Sequence, residues 1–283
     1  MLNPEFLHLV DYFKWEIIFL VVASLSILLR KWRLAFVGIA CIGAVFVGKT
    51  FGVNTTKPDI DDVSIVSFSV RSGNNQAISD IGRVLELAPD VILFQEVILN
   101  RALENVISEA GYSICSFHSK ASLIAAKRQI TNCELHGNVI EVEVEGYSNT
   151  KFFNIHAPKF FVDLETYNDF FEAVIEIANT EDPNVVIGGD FNSLVTGTWR
   201  KKLKKIGFVA SIDELAAGFK TTFPASGRRL GVLPPLLAID DIYVKGLTVV
   251  QSKVIYNNSG SDHFPIVAYI ENPEGAESEN IAK

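Results

Sequence analysis

The sequence is poor in the residues from which thiolate and zinc sites are made. Its 283 residues include only three cysteines and five histidines. The histidines stand singly, with no His-x-x-x-His pair, which argues against a zinc hydrolase. The cysteines show no metal-ligand spacing either. Cys41 lies inside an apolar run and reads as a small packing residue. Cys115 and Cys133 are compatible with a disulfide in an oxidising compartment and equally with two free thiols. Positive charge is short as well. The first 50 residues hold five basic side chains (Lys14, Arg30, Lys31, Arg33, Lys49) and three acidic ones (Glu5, Asp11, Glu16), so the net charge of −8 leaves −10 on the rest. An acidic domain is a poor generic binder of polyanions, because nucleic-acid affinity comes largely from neutralising phosphates. The basic cluster Arg200-Lys201-Lys202-Leu203-Lys204-Lys205 reads as the solvated face of a surface helix rather than a nucleic-acid track. There is no internal repeat and no low-complexity tract.

Apolar residues are abundant, at 48% of the chain with a mean hydropathy of +0.26, and the excess sits at the front. One apolar run covers Ile17 to Leu29 and extends back to Phe13 if Lys14 and Glu16 lie at a membrane surface. A second, Leu34 to Gly48, has no charge but is short of the roughly 17 residues that set the lower limit for a span. Arg30-Lys31-Trp32-Arg33 separates them. A basic turn between two apolar helices predicts a transmembrane hairpin, in contact with the lipid bilayer over residues 13–48, whose turn stays cytoplasmic and whose two ends lie outside. A cleaved signal peptide fits less well, since the first residues carry Glu5 and Asp11 and no basic n-region.

The length allows one large domain or two modest ones. The texture predicts an anchor over 1–52, a polar linker over 53–62 around Pro58, a domain over 63–271 and a disordered polar tail over 272–283. In the domain strands and helices alternate. Strands are expected at 63–70, 91–94, 112–117, 122–128, 139–145, 152–156, 185–187, 239–244 and 266–270, and helices at 77–87, 103–110 and 167–178. Such mixing predicts α/β layers around a sheet core. The polar residues Glu96, His156, Asp190, Asp240 and Asp262-His263 each fall at or just beyond an apolar strand, where binding sites form.

Glu96 follows the apolar Val91-Ile92-Leu93-Phe94, and a carboxylate at the mouth of a core strand is costly unless hydrated, paired or metal-bound. Asp190 and Asn192 flank Phe191 after two glycines, two apart in extended chain, and so point the same way. Asp262-His263 sets a hard oxygen ligand beside an imidazole. Oxygen-rich sites favour Mg²⁺, Mn²⁺ or Ca²⁺. A lone strand-end Asp is more often a turn or cap residue, and a lone His more often a satisfied structural one; the joint order is what carries the argument.

In that order the chain resembles the endonuclease/exonuclease/phosphatase superfamily. The matching stretches are Ser67-Phe68-Ser69-Val70-Arg71, Asp90 through Gln95-Glu96-Val97, Asn154-Ile155-His156-Ala157-Pro158, Gly189-Asp190-Phe191-Asn192, Ile239-Asp240-Asp241-Ile242-Tyr243 and Ser261-Asp262-His263-Phe264-Pro265. The two-helix anchor and Thr221-Thr222-Phe223-Pro224 resemble its bacterial membrane-anchored branch, which implies an inner-membrane location with the domain on the extracytoplasmic side. The resemblance implies a layered α/β sandwich of two packed mixed β-sheets flanked by helices, behind the two-helix transmembrane hairpin. It implies a Mg²⁺-dependent phosphoesterase, with Mn²⁺ or Ca²⁺ as substitutes, acting on nucleic acid or on a phosphorylated lipid or small molecule.

By the same resemblance Glu96 is the principal metal ligand and Asp262 supports it. Asp190 orients or deprotonates the attacking water, and Asn192 holds a phosphate oxygen. His263, positioned by Asp240, and His156 stabilise charge on the scissile phosphate. Arg71 and Lys159 are candidates to meet substrate phosphate, against a solvent-facing reading for the lysine. Ser69 stands where the family carries Asn, a weaker metal ligand, with Asn74 or Asn75 as possible substitutes from the following loop. That one departure is the only support for a rival class, a catalytically weak or silent scaffold. The loop after Arg228-Arg229, Leu230 to Leu237, is apolar and reads as folding back onto the domain rather than touching lipid. Among substrates, nuclease is favoured by a small margin on the family's population alone.

Overall fold

The computed structural model describes residues 4–29, 31–117, 121–147, 149–179, 184–225, 234–257 and 260–273. Arg30, Arg228-Arg229 and most of the polar tail lie outside the described residues. The chain opens with helices α1 (Pro4–Leu28) and α2 (Trp32–Thr50), which pack as a hairpin. A Cβ on Gly38 would stand 3.1 Å from Ala23 Cβ and 3.2 Å from the Phe19 carbonyl oxygen, so glycine lets the two helices approach closely. Lys49 closes the open end through Glu16, at 2.8 Å. Among the described residues α2 alone is long and apolar enough to cross a membrane, judged by length and composition. Helix α1 starts well before the apolar run that marks it in sequence, and its first turns dock on the domain, with Glu5 buried.

The chain then runs β1 (Phe51–Val53), β2 (Val63–Ser69), α3 (Ala77–Glu86), β3 (Val91–Gln95), α4 (Arg101–Glu109), β4 (Ser113–Ser116), β5 (Ser122–Ala126), β6 (Ile130–His136), β7 (Val139–Val144), β8 (Thr150–His156), α5 (Leu164–Ala178), β9 (Asn184–Asp190), α6 (Thr198–Lys205), β10 (Val209–Ala210), α7 (Ser211–Leu215), β11 (Ala217–Phe219), β12 (Asp240–Lys245), β13 (Val249–Val254) and β14 (Ile266–Ile270). The segment after α2 is held to the domain. Strand β1 pairs with β11, and the Asn54 amide donates to the Leu215 and Val250 carbonyls at 3.0 and 2.9 Å.

Two six-stranded mixed sheets form the core. Their orders are β13-β14-β2-β3-β5-β4 and β10-β12-β9-β8-β7-β6. In each, one central pair is parallel, β2 with β3 and β8 with β9, and the remaining pairs are antiparallel. Alternate residues of each strand face opposite ways. Ile65, Leu93, Ile124, Phe152, Val186 and Ile242 fill the layer between the sheets. Their neighbours Phe68, Ile92 and Phe94 pack under α3 and α4 through Ile81, Val84 and Ile107. On the far side Phe153, Ile155 and Ile187 meet α5 and α6 through Phe171, Trp199 and Leu203. The result is a four-layer α/β/β/α sandwich. Central strands buried on both faces read as continuous apolar runs. Strands β6 and β13 carry no such run, because each is the edge of its sheet and half-exposed, with Asn132, Glu134 and Lys253 facing outward.

Candidate active site

The expected polar residues gather at one edge of the sandwich, and the strand register shows why. Strands β3, β8 and β9 end at that edge, delivering Glu96, His156 and Asp190. Antiparallel β12 and β14 begin there, so Asp240 and Asp262-His263 reach the same edge from the other direction. His156 and Asp240 are both register partners of Asp190. Two glycines allow the close approach. A Cβ on Gly189 would lie 1.9 Å from the Ile155 carbonyl oxygen, and one on Gly188 would lie 2.4 Å from Leu93 Cδ1 across the sheets.

Glu96, Asn192, Asp262 and His263 line one cavity of about 300 Å³ together with Arg71 and Lys159. Arg71, Glu96 and Asn192 have backbone φ of 71°, 53° and 44°. Left-handed backbone at a non-glycine residue costs energy and concentrates where function holds it. Three such residues meet at this one cavity.

The side chains form a chain of charge. His263 Nδ1 lies 2.9 Å from an Asp240 carboxylate oxygen, and the Thr222 hydroxyl donates to the same carboxylate. His263 Nε2 stands 3.8 Å from Asp190 Oδ2. His156 Nε2 stands 3.9 Å from that oxygen and 3.6 Å from Glu96 Oε1. These gaps exceed a direct hydrogen bond and leave room for a bridging atom. Burial pulls the His263 pKa down, but Asp240 and Asp190 outweigh it and raise the imidazole to about 10. Burial lifts the Asp190 carboxyl to about 6, against the pull of His263 and His156 and the Asn192 N–H. Burial also lifts Glu96, yet the Ser72 N–H donating at 2.9 Å and the charges on His156, His263 and Lys159 hold it below its ordinary value.

The residues fit a hard divalent cation. Glu96, His156 and Asp190 present ligand atoms all within 4.8 Å of one another, and Asp262 adds a carboxylate lining the same cavity. The buried Ser69 hydroxyl, at the end of β2 beside Gln95, finds no hydrogen-bond partner. An orphaned buried donor of this kind is costly unless something occupies the space before it. Asn74 does not take the place of Ser69. Its amide donates to the Val70 carbonyl and to Asp80, and its oxygen accepts the Gln76 N–H. Arg71 reaches the Gly260 carbonyl at 3.2 Å while facing the cavity.

Several supporting residues escape sequence reading. Asp80 on α3 is buried and accepts the Gly260 and Ser261 N–H groups at 2.9 and 3.2 Å, which sets the loop carrying Asp262-His263. Gln95 donates across the sheets to Asn154 at 2.7 Å, and Asn154 donates to the Phe94 and Leu123 carbonyls. Glu5 and Leu9 of α1 line the cavity itself. Nothing local in the sequence marks Asp80, Glu5 or Leu9; Gln95, Asn154 and Thr222 fall in stretches that stand out. The basic cluster on α6 is also not wholly a solvated face. Arg200 is fully buried against Asp241, and Lys204 pairs with Asp213 at 2.5 Å. Arg200 turns inward onto Asp241 and Tyr243 of β12, while Lys204 is half-buried against α7. The pairing of Cys115 with Cys133 as a disulfide between β4 and β6 resolves the alternatives left open by sequence.

The profile described as the Endonuclease/Exonuclease/phosphatase family matches residues 66–263. No curated protein matches the chain. Among solved structures, a 3′ phosphatase from Neisseria bound to a product DNA hairpin superimposes with a TM-score of 0.60 at 19% identity, covering 73% of this chain and 98% of that one. An AP endonuclease from Archaeoglobus fulgidus gives 0.58 at 19% identity, covering 73% and 98%. A mannosyl-6-phosphatase from Bacteroides thetaiotaomicron gives 0.57 at 17% identity, covering 74% and 99%. At these identities the likeness establishes the shared sandwich fold.

Proposed function

The chain belongs to the endonuclease/exonuclease/phosphatase family and is a phosphoester hydrolase; from that premise we propose that it is a membrane-anchored, divalent-metal-dependent phosphodiesterase working by in-line attack of water. The observation that carries this reading is the meeting of Glu96, His156, Asp190 and the Asp240–His263 pair at one sheet edge, from five separate stretches of chain.

Glu96 and Asp262 would hold the cation, Mg²⁺ in the first instance with Mn²⁺ or Ca²⁺ as alternatives, and the Ser69 hydroxyl lies at the family's asparagine position. When bound, such a cation polarises a phosphoryl oxygen. Asp190, lifted to about 6 by burial, is ionised at neutral pH and basic enough to take a proton from water. His263, kept as imidazolium by Asp240, offers its Nε2–H to charge developing on phosphorus-bound oxygen. The Asn192 amide is fixed by donating to the Ala157 carbonyl at 2.8 Å and keeps a second N–H for a phosphate oxygen. Arg71 and Lys159 supply positive charge at the cavity wall.

Anchoring is supported by the α1–α2 hairpin. Leu20, Val21, Leu25, Phe36, Val37 and Ile39 are all exposed on it, an apolar surface too extensive for water. Helix α2, with 19 residues, measures about 28 Å against a hydrocarbon core of about 30 Å. The basic turn and the Cys115–Cys133 disulfide both favour an extracytoplasmic domain.

The test is turnover by full-length protein of bis-p-nitrophenyl phosphate, duplex DNA, RNA and inositol phosphates, each with Mg²⁺ or Mn²⁺ and with EDTA. Hydrolysis of at least one ester, abolished by EDTA, is expected. A folded sample inert toward all of them with both metals would instead support a silent scaffold.

A further inference from the structure

The anchor does more than tether the domain. Its first turns form one wall of the catalytic cavity, where Glu5 and Leu9 stand with Glu96, Asp262 and His263. That wall is fastened. Glu5 is 5% exposed, with one carboxylate oxygen accepting the Thr198 N–H at 2.9 Å and the other accepting the Ser193 hydroxyl at 3.3 Å. His8 Nε2 lies 3.2 Å from Thr198 Oγ1. A helix that enters the bilayer is thereby fixed in register with the reacting centre.

Leu9 has a second role. It also lines an apolar groove of about 450 Å³ along the hairpin, with Phe13, Ile17, Leu20 on α1 and Ile42 on α2. The cavity and the groove therefore meet at one side chain. From Phe13, at the expected membrane surface, to Leu20 the helix rises about 10 Å at 1.5 Å per residue, so the groove reaches into one leaflet, whose hydrocarbon depth is about 15 Å. The cavity wall also carries the apolar side chains of Phe160, Leu194, Phe223 and Leu237. A nucleic-acid backbone gains nothing from such apolar walls. A molecule with a charged head and a hydrocarbon tail matches both halves.

We infer that the substrate is an amphiphilic phosphoric ester, its head in the cavity bounded by Glu96 and His263 and its hydrocarbon chain along the groove between α1 and α2, with Leu9 at the junction. This rests on the phosphoesterase and anchoring readings above and names their substrate class. The step is plain hydrolysis: water adds to phosphorus, one P–O ester bond breaks, and the departing oxygen takes up a proton, with no co-reactant.

The experiment uses full-length protein in lipid nanodiscs with Mn²⁺ and three p-nitrophenyl esters, methyl, octyl and hexadecyl p-nitrophenyl phosphate, with release of p-nitrophenolate as the readout. Each methylene moved from water into the groove contributes about fourfold, and three to four of them already give about a hundredfold, so hexadecyl is expected to exceed methyl in kcat/KM by at least that much, with octyl between. Leu20→Trp and Ile42→Trp, which fill the groove away from the reacting groups, should lower the hexadecyl-to-methyl ratio of kcat/KM about tenfold or more. Methyl turnover stays unchanged in both variants and reports that they are folded. A hexadecyl-to-methyl ratio left at its wild-type value by both tryptophans comes from partitioning into lipid alone and overturns the inference. So does equal kcat/KM for the three esters, or cleavage of duplex DNA in preference to the hexadecyl ester. If no ester is turned over by folded wild-type protein with either Mg²⁺ or Mn²⁺, the phosphoesterase reading itself fails and the inference falls with it.

Discussion

Arg200 offers the sharpest test of how the site is built. Its guanidinium is fully buried between the rings of Phe191 and Tyr243, 5.2 and 5.5 Å from their centroids. It donates to the Tyr243 hydroxyl at 2.9 Å, to the Ser193 and Ala238 carbonyls at 3.1 and 2.8 Å, and to Asp241. Burial works against the charge, yet Tyr243 and Asp241 outweigh it and raise the pKa above its ordinary value. Ser193 follows Asn192, and Ala238 lies two residues before Asp240, so one side chain clamps both flanks of the catalytic edge. Arg200→Met removes the charge and leaves Asp241 buried, still accepting the Ile212 and Ile242 N–H groups at 2.9 and 2.8 Å. Breaking one partner of a buried pair costs about 3–5 kcal/mol, and the remaining donors place this case toward the lower end. Asp241→Asn should cost a similar amount. The double variant should cost less than the two together, with a coupling of about 1–3 kcal/mol. Urea unfolding followed by the fluorescence of buried Trp199 measures all three, and kcat should fall roughly 10–100-fold in Arg200→Met as the edge loosens. A stability loss below about 1 kcal/mol, or strict additivity, would refute the clamp.

Three further outcomes follow from the same geometry. In metal-free protein His263 should remain an imidazolium through neutral pH and deprotonate only near pH 10, read by nitrogen-edited NMR; because the folded pKa lies above the ordinary 6.5, its stabilising contribution is complete below about pH 6.5 and is lost as pH rises toward 10. Asp240→Asn should lower that titration and reduce kcat by about a hundredfold, and an unmoved titration would separate Asp240 from the histidine. Replacing Cys115 and Cys133 by serine opens a loop with a sequence separation of 18 and should cost about 3 kcal/mol, read as a lowered unfolding midpoint that reductant reproduces in the wild type.

How legible this was depends on burial and on distance in the chain. Strands such as Val91–Gln95 and Asn184–Asp190 are buried on both faces and announce themselves as apolar runs, so the residues at their ends could be named in advance. Edge strands β6 and β13 could not, because half their residues face water and no apolar run or strict alternation results. The sandwich itself followed from the resemblance of the motifs rather than from periodicity, which yields elements but not their pairing. Asp80 and Arg200 were hidden for a different reason. Each sits on a helix where a charged residue ordinarily faces solvent, and only the tertiary partners, the 260–261 loop and Asp241, turn it inward. The docking of α1 against the cavity is the extreme case, since Glu5 and Thr198 are 193 residues apart. The disulfide lay between these extremes, two cysteines whose pairing needed the fold to decide.

The account turns on a single claim, that Glu96, Asp190 and His263 act on one cation and one phosphorus centre. Turnover of bis-p-nitrophenyl phosphate by Glu96→Ala, Asp190→Ala and His263→Ala beside the wild type, with Mn²⁺ affinity measured on each by calorimetry, tests it most directly. All three variants should lose about a hundredfold or more in kcat/KM, and Glu96→Ala should also weaken Mn²⁺ binding while His263→Ala leaves it nearly intact. Wild-type turnover in any one of the three, or metal affinity indifferent to Glu96, would contradict it.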